Sequence, residues 1–96
     1  MSEFKPLQFD WNKGNKNKNL KKHGVEDRES EQVFFNKPLK TFLDIKHLNK
    51  EKRFTILGAT DEKRRLFVSF TIRSRKIRII SARNMSRKER RLYEQK

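Results

Sequence analysis

The chain has no cysteine, so disulfide frameworks and thiolate metal sites are excluded, and the simplest expected address is the cytoplasm. Its three glycines are isolated at positions 14, 24 and 58. No Gly-rich loop exists to cradle a nucleotide phosphate, which argues against nucleotide hydrolysis. Histidine occurs twice, as His23 and His47. Asp44 lies three residues before His47, but that spacing without further ligands does not define a metal centre, and neither a metal nor a cofactor is expected. The serines show no nucleophile-elbow pattern. No apolar run approaches the ~20 residues needed to cross a bilayer, and residues 1–6 contain no apolar signal core. Neither insertion into a membrane nor secretion is expected. Negative charge is scarce too: 12 Asp and Glu stand against 26 Lys and Arg in 96 residues, a net charge of +14.

That charge is uneven. Residues 1–62 carry 13 basic and 10 acidic side chains, whereas residues 63–96 carry 13 basic side chains and only Glu89 and Glu94 against them. Such self-repulsion destabilises a small domain unless an anion or a neutralising protein offsets it. With 32% hydrophobic and 40% charged residues, the chain can bury one small core, so residues 1–96 are read as a single domain. A membrane-surface role is disfavoured, because the charge runs through strands and a helix with no long apolar face.

Leu7, Phe9 and Trp11 alternate with polar residues as in a short strand, and Asn12 is placed to cap a helix over residues 13–22. Gly24 supplies the left-handed position that ends it, with Val25 as the accompanying apolar contact. Asp27 is the expected cap of a second helix through Phe34, stopped at Asn36-Lys37-Pro38. The pattern then turns to period two, predicting strands over residues 40–45, 53–60, 66–72 and 76–82. Ser86 and Glu89 form a capping box that opens a basic C-terminal helix with Leu92 and Tyr93 as its apolar contacts. The fold class is α+β: a four-stranded antiparallel sheet, two N-terminal helices and one C-terminal helix.

A two-residue hairpin at Ser74-Arg75 sets Arg73 against Lys76, and hence Ile72 against Ile77, Phe70 against Ile79 and Val68 against Ser81. Keeping Phe54 and Ile56 on the same buried face sets them against Phe70 and Val68. Alternation then places Arg53 and Arg78 on either side of Thr71 on the other face, near Arg73, Thr55 and Ser69. Leu57, Phe67, Ile80 and Ala82 make the far end of that face apolar. A plain solvent-facing sheet is the common alternative, but paired guanidiniums favour an anion between them and match phosphate geometry.

Several segments together resemble the BrnT toxin family: Phe9-Asp10-Trp11, Asn19-Leu20-Lys21-Lys22-His23-Gly24-Val25, Val33-Phe34, Asp44 with His47, and Glu51-Lys52-Arg53-Phe54 leading to Leu57-Gly58. The C-terminal half is closer still, in Phe70-Thr71-Ile72-Arg73, in Ile77-Arg78-Ile79-Ile80-Ser81-Ala82-Arg83 and in Glu89-Arg90-Arg91-x-Tyr93. The likeness spans about residues 7–94. Asp27 and Ser30 depart from it, standing where Phe and Ala are expected, and the second helix is where packing should differ. The resemblance implies a RelE-like ribonuclease toxin of a type II toxin-antitoxin pair, which inhibits translation by cutting RNA. It also implies a ribbon-helix-helix antitoxin, BrnA, in a two-plus-two complex, with DNA reached only through that partner.

Metal-free RNA cleavage needs the 2′-OH deprotonated, the phosphorane charge stabilised and the leaving oxygen protonated. Arg53, Arg78 and Arg83 are the first choices for the phosphate, and His23 and Tyr93 rank ahead of Lys22 and Glu51 for proton transfer. Lys22, Thr71, Arg73, Ser81, Arg90 and Arg91 are the expected RNA contacts. Phe67, Ile80 and Arg87 are expected to meet an acidic, amphipathic antitoxin segment. A non-enzymatic RNA- or DNA-binding module fits the composition equally. It would more often display exposed aromatics for base stacking, whereas the aromatics here mostly fall in the expected core.

Overall fold

In a computed structural model of the protein, residues 7–44 and 51–95 are described. Four strands, β1 (Lys40–Asp44), β2 (Arg53–Ala59), β3 (Arg65–Arg73) and β4 (Lys76–Asn84), form one antiparallel sheet in chain order. Two short helices, α1 (Lys18–His23) and α2 (Asp27–Gln32), precede it and α3 (Arg87–Glu94) follows. The expected α+β architecture is therefore present. Ser74 (φ 49°) and Arg75 (φ 67°) are both left-handed, as a two-residue hairpin of matching twist requires, and they set Arg73 against Lys76.

From that turn the alternating pattern places Ile56, Val68, Phe70, Ile77 and Ile79 in one cluster with Val25 and Val33, and Phe54 at its margin. Phe34 meets Phe70 edge-on at 5.0 Å, while Phe54 stacks on it at 5.4 Å. Gly58 lets the chain just after α2 approach β2 closely, since a Cβ there would lie 3.1 Å from both Cβ and O of Val33. Ser30, where the family resemblance leads one to expect Ala, is buried and donates its hydroxyl to the Asp27 carbonyl at 2.7 Å. Asp27 in turn accepts from the Asn17 amide at 3.0 and 3.2 Å, so the two departures link α2 to the start of α1.

Several local expectations are corrected. Residues 7–11 make only a single parallel bridge, Phe9 to Ile77, along the outer edge of β4, with Leu7 left exposed. Asn12 does not cap a helix. Its side-chain oxygen accepts from the Gly14 amide at 2.8 Å, and α1 begins only after Asn17 (φ 60°), because Asn15 turns inward to donate to the carbonyls of Asp10 and Ile79. Glu26 rather than Asp27 caps α2, through a reciprocal box with Glu29. The β3–β4 register shifts between Ser69 and Phe70, so Val68 faces Ala82, not Ser81. That bulge turns Ala82 into the helix-covered core instead of the opposite face. Ile45 and His47 lie outside the described residues.

The apolar end of the second face is not open, because α3 covers it. Leu57, Met85 and Tyr93 form a second buried cluster with Phe67 packed against it, while Leu92 points outward. Polar clamps hold the helix down. Arg83 donates both fork nitrogens to Glu89 at 2.8 and 2.9 Å, and Glu89 also accepts from the Ser86 amide at 2.8 Å. At the far end Tyr93 donates to the Pro38 carbonyl at 2.8 Å, Arg65 pairs with Glu94, and Lys40 Nζ donates to the Leu92 and Gln95 carbonyls at 2.6 Å. A lysine at a helix C-terminus also complements the dipole.

Two outcomes follow. Gly58→Ala should lower stability by about 1–3 kcal/mol through overpacking against Val33, visible as a lower urea midpoint with an unchanged slope. Hydrogen bonding from Arg83 holds the Glu89 carboxyl below the usual value of 4.5, against the opposing effect of burial. Its contribution is complete above that pH and fades as pH falls through the lowered value. The stability gap between wild type and Glu89→Gln, measured by urea unfolding across pH 2.5–7, should therefore close on the acid side; a gap that stays constant removes this role.

Candidate active site

The β2–β3 register pairs Phe54 with Phe70, which brings the next residue, Arg53, to Thr71, and the β3–β4 register sets Thr71 against Arg78. Both arginines therefore flank one threonine, as alternation predicts. Thr71 is buried and donates its hydroxyl to the Lys52 carbonyl at 2.6 Å, which pins the beginning of β2. It acts as a spacer between the arginines.

Arg78 is the most firmly held. Its side chain is 12% exposed, Nη2 donates to Asn12 Oδ1 at 3.1 Å, and Nη1 lies 3.5 Å from Asp10 Oδ2. The latter contact has ion-pair distance but no hydrogen bond, so Nη1 is buried without an acceptor among the described residues. Gly14 leaves room for this guanidinium, since a Cβ there would sit 2.6 Å from Nη2. Arg53 is half-buried at the start of β2, opposite Asp44 of β1, and its Nε is likewise buried without an acceptor among the described residues. Asp10 thus tempers the charge of Arg78 without satisfying all of its donors, while Arg53 stands across the ladder from Asp44. At the margin, the exposed Arg73 donates to Glu51 at 3.2 and 3.3 Å, and that hydrogen bond raises its already high pKa.

Other residues singled out from the sequence lie apart from this pair. Asn19 of α1 accepts from the Ala82 amide at 3.0 Å, and the α1 terminus at Gly24 accepts from Arg64 at 3.0 Å. Lys22 and His23 therefore stand toward the opposite end of β4, roughly 13 Å of strand away from Arg78. Arg83 is committed to Glu89 and stacks over Phe67 at 4.1 Å from the ring centroid. Tyr93 is buried under α3 with its hydroxyl on Pro38. Ser81 is half-buried opposite Ser69, and Ile80 is half-buried at the bulge. Arg87, Arg90 and Arg91 are exposed on α3. Depressions of about 430 and 600 Å³ flank that helix, and neither includes Arg53, Thr71 or Arg78.

Asp10, Asn12 and Gly14 were missed as site residues, although they set the position of Arg78. An Asn-x-Gly turn was a readable signal, but the Lys/Asn-rich composition around it suggested the start of a helix.

No curated protein matches the sequence. A family model described as the ribonuclease toxin BrnT of a type II toxin-antitoxin system matches residues 11–89, which takes in Arg53, Thr71 and Arg78 and the turn that holds Arg78. The chain belongs to the BrnT family of ribonuclease toxins of type II toxin-antitoxin systems.

Proposed function

We propose that the chain cuts RNA without a metal ion, with Arg53 and Arg78 holding the scissile phosphate across Thr71. The supporting observation is the pair of buried guanidinium N–H groups without acceptors. An unmade hydrogen bond of this kind costs about 1–3 kcal/mol, and a phosphate that draws the forks outward supplies the acceptors. In the reaction the RNA 2′-oxygen bonds to phosphorus, the P–O5′ bond breaks, and a 2′,3′-cyclic phosphate and a 5′-hydroxyl result. One group removes the 2′-OH proton and another protonates the departing oxygen, while the two arginines stabilise the phosphorane. Asp10 beside Arg78 and, at the margin of the site, Glu51 beside Arg73 are the carboxylates held next to arginines here. They serve proton transfer better than His23 and Tyr93, which stand elsewhere. Arg83 acts through α3, as a clamp, and Arg90 and Arg91 extend the basic surface for RNA.

On this reading the toxin is RelE-like, acts in the cytoplasm and stops translation. Its antitoxin is a ribbon-helix-helix protein in a two-plus-two complex, and DNA is reached only through it. Of the surface assigned to the antitoxin, Phe67 is screened by Arg83 and α3, so contact falls on Ile80 and Arg87.

Arg78→Lys keeps the charge but loses the planar fork and should lower the saturating cleavage rate by about 10²- to 10³-fold, as should Arg53→Ala. Binding that weakens while the saturating rate holds would make these residues RNA contacts alone; harmless induction and no cleavage by wild type would favour the non-enzymatic module. Gly14→Ala changes no charge, and the atom its Cβ meets is the far end of the long Arg78 side chain, which can swing aside. It should therefore reduce cleavage at least tenfold with little loss of thermal stability. Equal activity would show that Arg78 need not lie in this turn. Native mass of the co-expressed pair should show two copies of each chain, and a stable one-to-one complex would refute that stoichiometry.

A further inference from the structure

A second basic feature lies away from Thr71, beneath the C-terminal end of α3. A groove of about 600 Å³ has Pro38, Ala59 and Tyr93 among its apolar lining and Lys37, Lys63 and Arg65 among its cations. Its one carboxylate, Glu94, is paired with Arg65, and Lys40 is spent on helix carbonyls. Lys37 and Lys63 have no ion pair or side-chain hydrogen bond among the described residues. The groove therefore presents unbalanced positive charge above an apolar floor.

Lys63 marks its centre twice. It borders two further depressions, one reaching Met85 and Arg90 and the other reaching Asn36 and Asp61, so three hollows meet at its side chain. It is also strained. The β2–β3 loop closes by Lys63 N donating to the Thr60 carbonyl at 2.9 Å and Thr60 N to the Arg64 carbonyl at 2.8 Å, with Lys63 left-handed at φ 71°. Glycine or asparagine is the favoured residue at such a position, so a lysine there is retained against backbone preference.

We propose that this groove docks an acidic, apolar-anchored peptide segment of a partner protein, with Lys63 as its central charge contact. The idea rests on the toxin-antitoxin reading only in taking that partner to be a protein. Charge complementarity selects an acidic occupant, and the proline, alanine and tyrosine floor selects apolar side chains within it. RNA fits less well, because Tyr93 is only 8% exposed and offers no free face for a base to stack on.

The test titrates isotope-labelled protein with a synthetic peptide repeating Glu-Asp-Leu and, separately, with oligouridylate. Peptide should shift the amide signals of Lys37, Ala59, Lys63 and Tyr93, leaving Thr71 and Arg78 unmoved. Lys63→Gly and Lys63→Asn, both suited to the left-handed backbone, should bind the peptide about fivefold more weakly at low salt. Lys63→Gly should also melt at a higher temperature and cleave RNA as wild type does, which separates this proposal from the assignment of the arginine pair. Unchanged peptide affinity in both variants, peptide shifts centred on Arg53 and Arg78, or stronger groove shifts with oligouridylate than with peptide would each overturn it.

Discussion

Two residues held in the left-handed region, Ser74 and Arg75, set the geometry on which the rest depends. Their turn fixes the β3–β4 register, and through β3 the register of β2 decides which side chains share each face. A slip of β4 by one residue there would turn Ile77 and Ile79 away from the core and separate Arg78 from Thr71. Core and candidate active site both follow from the β2–β3 and β3–β4 alignments, so the cation pair needs no separate device to bring it together.

The protein manages its excess charge by giving many of its cations a structural task. Arg83, Arg65 and Lys40 hold α3 over the small second cluster, and Arg64 joins α1, α2 and β4 through Gly24, Glu29 and Asn84. Most of these contacts are charge-assisted and reach either a carboxylate or a helix-end carbonyl. Arg53 and Arg78 differ from them in keeping buried donors without acceptors among the described residues, Arg78 even with Asp10 beside it. That contrast sets the two candidate arginines apart from the clamping ones.

Much of this was legible in the sequence where spacing alone decides. The period-two runs, the hairpin at Ser74-Arg75, the cap at Ser86-Glu89 and the placing of Arg53 and Arg78 around Thr71 all follow from alternation and turn chemistry. The bulge at Ser69/Phe70 was not legible, because no glycine marks it and Ala82 suits either face. Asn12 was misread as a cap, and the start of α1 placed too early, ahead of Asn15, for a related reason. Asparagine can cap a helix or bond distant carbonyls, and only β4, far along the chain, decides between these uses. The contacts of Arg83 and Tyr93 with Glu89 and Pro38 were obscured in the same way, since the sequence does not show which partner a side chain meets.

The setting of Arg78 joins a turn at Asn12 to a strand 66 positions later. Contacts this distant along a chain form late, after the loop between them has been closed. During synthesis the N-terminal turn waits for β4 to emerge, and a partly made chain has only half of the arginine's cradle. The delay is built into topology, so unfinished copies lack the assembled arginine pair while they are still on the ribosome.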